Sequence, residues 1–200
     1  MKWLVDYLDR ELNLQHDQRE TIEYGLASLL YTALSVVSAL LLAKLLGLYR
    51  ETAVIISVIM LYRKVSGGAH ISTPHGCLIT GTAASLLFAY LTKLWAPLFA
   101  ASAAARILPA FLALYPAYLY VPAAVPQKPI TSLRQRRLLR RLSFALLLCW
   151  GLLGIIVKRL PAVWSYYYFA GSLGLLWQSF LLTPAGYRLL AFLSPLFNKK

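Results

Sequence analysis

From Gly25 to Leu46 the chain runs 22 residues with one charged side chain, Lys44. Residues 77–95, 97–121, 143–157 and 161–183 each hold at most one charge as well, and residues 48–62 hold two, Arg50 and Glu51. A helix rises about 1.5 Å per residue, so the longer runs can cross the roughly 30 Å of bilayer hydrocarbon. The whole chain of 200 residues is 60% hydrophobic with mean hydropathy +0.64. Soluble domains usually hold about 45–50% apolar residues. The sequence therefore predicts an all-α, polytopic integral membrane protein with about six transmembrane helices, forming a single membrane domain over 25–183. Residues 48–62 and 143–157 are short for a span and are expected to extend into the interface, or, in the case of the first, to be only partly inserted. Pro97, Pro109 and Pro116 predict a kinked fourth span.

The flanks differ from this domain. In residues 1–16, Trp3, Leu4, Tyr7, Leu8 and Leu12 fall at helical spacing among Asp6, Asp9, Arg10 and Glu11. This pattern predicts an amphipathic helix on the membrane surface within a cytoplasmic segment 1–24. Asp17 and Glu20 have the spacing of a capping box that would start the first span. No apolar run in the first 24 residues reads as a secretory signal, so the first span is expected to act as the insertion signal. Residues 184–200 read as a cytoplasmic tail. With six spans, one side of the membrane collects fourteen basic residues and the other five. The positive-inside rule then puts both termini, the 63–76 loop and a basic 122–142 loop in the cytoplasm. It also accounts for the net charge of +13 without nucleic acid as a partner. The bilayer is the expected partner, and anionic lipid would touch the basic loop.

The acidic residues are as unevenly placed as the apolar ones. Six of the seven lie in the first 23 residues, the seventh is Glu51, and 149 residues follow without a carboxylate side chain. Chemistry built on paired carboxylates, a carboxylate metal ligand or a Ser-His-Asp triad would have to borrow from the N-terminus. Proton relays through membrane carboxylates are disfavoured for the same reason.

One polar stretch interrupts the apolar pattern: Arg63-Lys64-Val65-Ser66-Gly67-Gly68-Ala69-His70-Ile71-Ser72-Thr73-Pro74-His75-Gly76-Cys77. A Cys-His pair is a sufficient nucleophile and base, because a thiolate is intrinsically strong. On a continuous helix His70 and Cys77 would be about 10 Å apart along the axis, too far for a hydrogen bond. Pro74 disfavours helix at Thr73, and Gly67, Gly68 and Gly76 permit conformations other residues avoid. The stretch can therefore fold back and bring imidazole to sulfur. Cys77 would sit at the start of the third span, where the positive helix end favours a thiolate. Arg63 and Lys64 can reinforce this or bind an acidic part of a substrate.

Other readings of these residues stand beside this one. His75 is an alternative base, but two residues from Cys77 its geometry is awkward, and it reads better as an interfacial residue. His70, His75 and Cys77 could ligate zinc or copper, but three donors without a fourth form a weak site. No metal or cofactor is expected. Cys149 reads as membrane packing, and the two cysteines form no disulfide framework. Arg106 lies near mid-membrane, is expected to face the interior, and either pairs with a substrate carboxylate or satisfies helix carbonyls.

The Arg63…Gly67-Gly68-Ala69-His70…Cys77 pattern resembles the signature of the accessory gene regulator B (AgrB) family, membrane cysteine endopeptidases of bacterial quorum sensing. Val121-Pro122-Ala123-Ala124-Val125-Pro126-Gln127-Lys128-Pro129-Ile130, followed by the basic run to Arg141, resembles the family too. The resemblance implies that Cys77 is the nucleophile and His70 the base, with Arg63, Gly67 and Gly68 shaping the motif. It implies a bacterial plasma-membrane location and, as substrate, a short propeptide with an amphipathic leader and an acidic C-terminal tail. Cys77 would release the tail and hold the remainder as a thioester, which a Cys or Ser of the propeptide would attack to close a thiolactone or lactone. A non-enzymatic transporter or assembly factor, binding an anionic peptide or lipid through Arg106 and the basic loop, is the alternative from another class. Small-residue faces at Ala101–Ala105 and Gly171–Gly174 suit helix packing within one chain or in a homodimer.

Overall fold

The computed structural model describes residues 6–7, 9–11, 15–71, 73–100, 103–123 and 132–197. From residue 15 onward, seven helices follow in order: α1 His16–Leu45, α2 Tyr49–Ser66, α3 Pro74–Ala100, α4 Ala103–Tyr120, α5 Leu133–Ile156, α6 Ala162–Phe180 and α7 Pro184–Leu193. Short 3-10 turns cover Val157–Arg159 and Ser194–Phe197. Where they are described, the six apolar stretches are largely helical. The regions spanning Gln18–Leu45, Pro74–Phe99 and Leu133–Arg159 are long and apolar enough to cross a membrane, and α6 with the bent-away α7 makes a fourth candidate. The α2 helix has 18 residues and carries Arg50, Glu51, Arg63 and Lys64, so it is a less apolar element than these.

Several boundaries differ from the expected ones. The fourth stretch begins at Ala103, not residue 97, because Pro97 is accommodated near the end of α3 while Pro109 and Pro116 lie inside a continuous α4. The basic stretch expected as a loop is half helix: Arg134–Arg141 form the first turns of α5, capped by the Ser132 hydroxyl accepting from the Gln135 N–H at 3.5 Å. The expected tail 184–200 holds α7, capped by Thr183 Oγ1 accepting from Gly186 N–H at 3.2 Å, with Pro184 in its first turn. The first helix starts one residue before the expected Asp17, where the Gln15 N–H donates to Gln18 Oε1 at 3.1 Å. The predicted surface helix 1–16 lies largely outside the described residues. Of its described acids, Asp6 and Asp9 both hold Arg19, at 2.6 and 2.8 Å.

The outer surface is apolar, with Leu45 84% and Leu98 75% exposed, alongside Leu29, Leu41, Phe111 and Leu148. A soluble protein does not leave so continuous an apolar surface in water; a bilayer solvates it. The interior holds small residues: Ala39, Ala43, Ala89, Ala110, Ala113, Ala117 and Ala170 are buried. Such residues let backbones approach closely where apolar burial alone gives no drive to associate. The central element is α6, whose most extensive partner is α2 and which also packs on α3 and α4. Gly174 makes the α2–α6 approach possible: a Cβ there would meet the Ile55 carbonyl oxygen at 2.9 Å. Some buried hydroxyls turn back onto their own helix, as Ser85 to the Gly81 carbonyl and Thr92 to the Phe88 carbonyl, both at 2.8 Å.

Candidate active site

The polar loop is a sharp break between two helices. The α2 helix stops at Ser66 because Gly67 follows at φ 72°, ψ −149°, in a region almost confined to glycine. Gly68 follows at φ 128°. The backbone leaves the helix and returns to start α3 at Pro74, where the fixed φ of proline suits the first helical position. Cys77 therefore lies in the first turn of α3, with its N–H donating to the Thr73 carbonyl at 3.0 Å. It is exposed. The loop folds back on that turn: a Cβ on Gly76 would sit 2.6 Å from Ile71 Cγ2 and 2.7 Å from Thr73 Oγ1. This packs the residue after His70 against the residue before Cys77.

His70 is half-buried, and its Nδ1 lies 3.1 Å from the carbonyl oxygen of Ile71. A carbonyl can only accept, so Nδ1 carries the proton and the neutral ring presents Nε2 as its lone pair. The imidazole is thus oriented by a neutral dipole. No hydrogen bond joins imidazole and thiol in this structure.

Arg63, in the last turn of α2, connects the two halves of the loop. Its Nη2 donates to the Ala69 carbonyl at 3.0 Å, one residue before His70. Cys77 and Tyr187 of α7 lie within electrostatic reach of its guanidinium. Arg63 therefore ties the end of α2 to the residue before His70. Lys64 is exposed beside it. His75 is also exposed, and its ring meets Tyr31 of α1 edge-on at 5.9 Å between centroids.

Three distant elements pin the loop. The Ala123 N–H donates to the Ser66 carbonyl at 2.8 Å, and Gly67 and Ala123 form a parallel β-bridge. A Cβ on Gly67 would collide with the Ala123 carbonyl oxygen. The Ala69 N–H donates to the Leu181 carbonyl at 2.9 Å, at the bend between α6 and α7. Gln178 Nε2 of α6 donates to the Gly67 carbonyl at 2.7 Å. Beneath the loop, Ala69, Ile71, Leu181 and Leu190 form a small apolar core with Phe180 and Phe197 against it. The two stretches that resemble the family motifs are thus joined directly through Gly67 and Ala123.

Sequence reasoning did not find Gln178, Leu181 or Tyr187, and it named Ala123 only as part of the second family-like stretch. Only Gln178 carried a signal, as the lone amide side chain in its helix. Arg106 lies elsewhere. It is 7% exposed and lines a small cavity with Phe99, Tyr168 and Ser172, and its carbonyl accepts from Tyr168 Oη at 2.8 Å. Tyr168 is ten residues before Gln178 on α6, about 15 Å along the axis. Glu51 sits in the first turn of α2, at the end away from the loop, and accepts from Tyr166 Oη at 2.6 Å. The basic run is exposed except for contacts of Arg140, which donates to the Tyr118 carbonyl at 3.2 Å and lies over the Tyr118 and Phe144 rings. Among the described residues, no three His, Cys, Asp or Glu side chains stand where they could hold a metal ion.

Fold and loop together define a helical membrane protein that displays a cysteine and a histidine on a glycine-hinged break between helices. A family model described as accessory gene regulator B matches residues 1–182. The chain belongs to the AgrB family. It is similar to AgrB-like protein 2 of Clostridium perfringens strain 13, at 29% identity over 92 residues, which is 46% of this chain and 43% of that protein. An AgrB-like protein of Clostridium perfringens strain SM101 is 28% identical over the same extents. The aligned part thus spans less than half the length of these curated relatives. No solved structure matches the chain.

Proposed function

We propose that this protein is a membrane-embedded cysteine endopeptidase that matures a short signalling propeptide of bacterial quorum sensing. The observation that carries this reading is the loop itself: an exposed Cys77 in a first helical turn, with His70 oriented through Nδ1 so that Nε2 is available and Arg63 bound to the carbonyl just before it. In this reading Nε2 takes the thiol proton, and Cys77 Sγ attacks the carbonyl preceding the acidic tail. The tetrahedral intermediate collapses as His70 returns the proton to the leaving amine. The tail departs and the leader portion remains as a thioester. A Cys or Ser of the propeptide then gives its proton to His70 and attacks the thioester, closing a thiolactone or lactone and freeing Cys77. Thioester exchange conserves the acyl energy that hydrolysis would lose.

The positive end of α3 and the Arg63 guanidinium suit the negative charge that develops at sulfur. The exposed arginines of α5 and Lys64 suit an acidic tail. All six apolar helices cross the plasma membrane in this reading, with the loop, α7 and the start of α5 on the cytoplasmic side.

Purified protein in lipid nanodiscs, incubated with a propeptide of this design, should release the acidic tail, followed by mass spectrometry. Cys77→Ala should abolish release, and His70→Ala should lower it by about 100-fold or more. Undiminished cleavage in Cys77→Ala would sink the assignment. A transporter or assembly factor instead predicts peptide binding or flux that survives loss of both side chains.

A further inference from the structure

Gln178 is fully buried in α6, yet it is polar. Its Nε2 donates to the Gly67 carbonyl at 2.7 Å and reaches Ser66 Oγ at 3.5 Å. Its Oε1 has no hydrogen-bond partner among the described residues. An amide in an apolar helix core, with its acceptor unmatched, is unfavourable unless its donor is needed. The donor is directed at the carbonyl of the residue where the chain leaves α2. Gly68 packs on the same amide: a Cβ there would lie 3.1 Å from Gln178 Nε2.

Gly67 and Gly68 both adopt backbone conformations that glycine reaches without strain, and glycine equally well reaches many others. Two such residues in series form a loose joint unless something external fixes the peptide plane between them. Ala123 fixes Ser66, and Leu181 fixes Ala69. The Gly67 carbonyl between them is held by side chains: Gln178 from across the structure and the Ser66 hydroxyl at 3.1 Å. The orientation of this peptide sets the direction in which Ala69 and His70 leave the turn.

We propose that Gln178 is a positioning residue for the His70–Cys77 pair, acting through the Gly67 carbonyl, an inference that rests on the peptidase reading. Removing the donor leaves substrate binding intact but lets imidazole and thiol drift from reactive geometry. Misplacement by about 1 Å costs on the order of 100-fold in rate.

The test uses the full chain in nanodiscs with Cys149→Ala, so that Cys77 is the remaining thiol. Two readouts are followed: propeptide cleavage, and alkylation of Cys77 by iodoacetamide across pH. Gln178→Leu should lower kcat on the order of 100-fold with KM unchanged. It should also reduce Cys77 alkylation to the rate of His70→Ala. Gln178→Glu gives a sign that packing alone cannot imitate. Only the protonated carboxyl can donate to the Gly67 carbonyl, and burial favours that form. Its activity should approach the parent at low pH and fall as pH rises, relative to the parent profile. Parental kcat and alkylation in Gln178→Leu, or a parental pH profile in Gln178→Glu, would overturn the proposal. If Gln178→Leu does not fold, the Gln178→Glu profile decides. If the parent protein cleaves nothing, the peptidase reading fails, while alkylation still reports whether Gln178 governs the influence of His70 on Cys77.

Discussion

Gly67 is the residue whose replacement separates backbone from side chain most cleanly. Its φ of 72° with ψ of −149° costs a non-glycine residue about 1–3 kcal/mol. A Cβ would also strike the Ala123 carbonyl oxygen, which is backbone and cannot rotate away. Gly67→Ala is therefore expected to lower thermal stability by at least that amount and to abolish tail release, while the chain still inserts. Melting in detergent and mass spectrometry of the released tail check both. At this scale the sequence showed which residue types could do chemistry, and the fold-back between His70 and Cys77 followed from Gly67, Gly68 and Pro74. What holds the loop was not legible. The Ile71 and Leu181 contacts use backbone carbonyls, which every residue carries, and Ala123 contributes only its N–H.

At the scale of elements, the apolar stretches were legible because a bilayer demands uninterrupted runs, whereas their ends were not. A cap needs a few hydrogen bonds, and Gln15, Ser132 and Thr183 supply them where composition gives little warning. The α6–α7 bend is the least expected element. The two helices meet at 87°, and Leu181 at the bend holds Ala69. Gly186 lets the bend close, since a Cβ there would lie 2.7 Å from Leu181 Cα and against the Phe180 carbonyl. Gly186→Val should open the bend and shift Leu181. Cleavage is expected to fall at least about 10-fold, a loss of about 1.4 kcal/mol or more in transition-state stabilisation. Helix content by circular dichroism should stay near the parent value. Unchanged cleavage would show that the Leu181 contact does not bear on the reaction.

For the whole molecule, orientation rests on the distribution of bases, and labelling can test it. In a Cys77→Ser, Cys149→Ala background, a cysteine in place of exposed Gln135 should react with an impermeant maleimide only in inverted vesicles. A cysteine in place of exposed Leu160 should react in intact cells. The opposite pattern would place the loop outside the cell and remove it from any cytoplasmic propeptide. The site itself is assembled from separate parts of the chain: the end of α2, the residues after α4, the α6–α7 bend and the start of α3. Gln178 lies 111 residues after the carbonyl it holds. During synthesis, then, His70 and Cys77 are made long before the last support is. A chain halted after α5 carries both reactive side chains on a glycine joint that nothing from α6 yet steadies. On the proposed peptidase reading, activity would come only when α6 docks between α2, α3 and α4, so an unfinished or wrongly inserted copy would be a silent one.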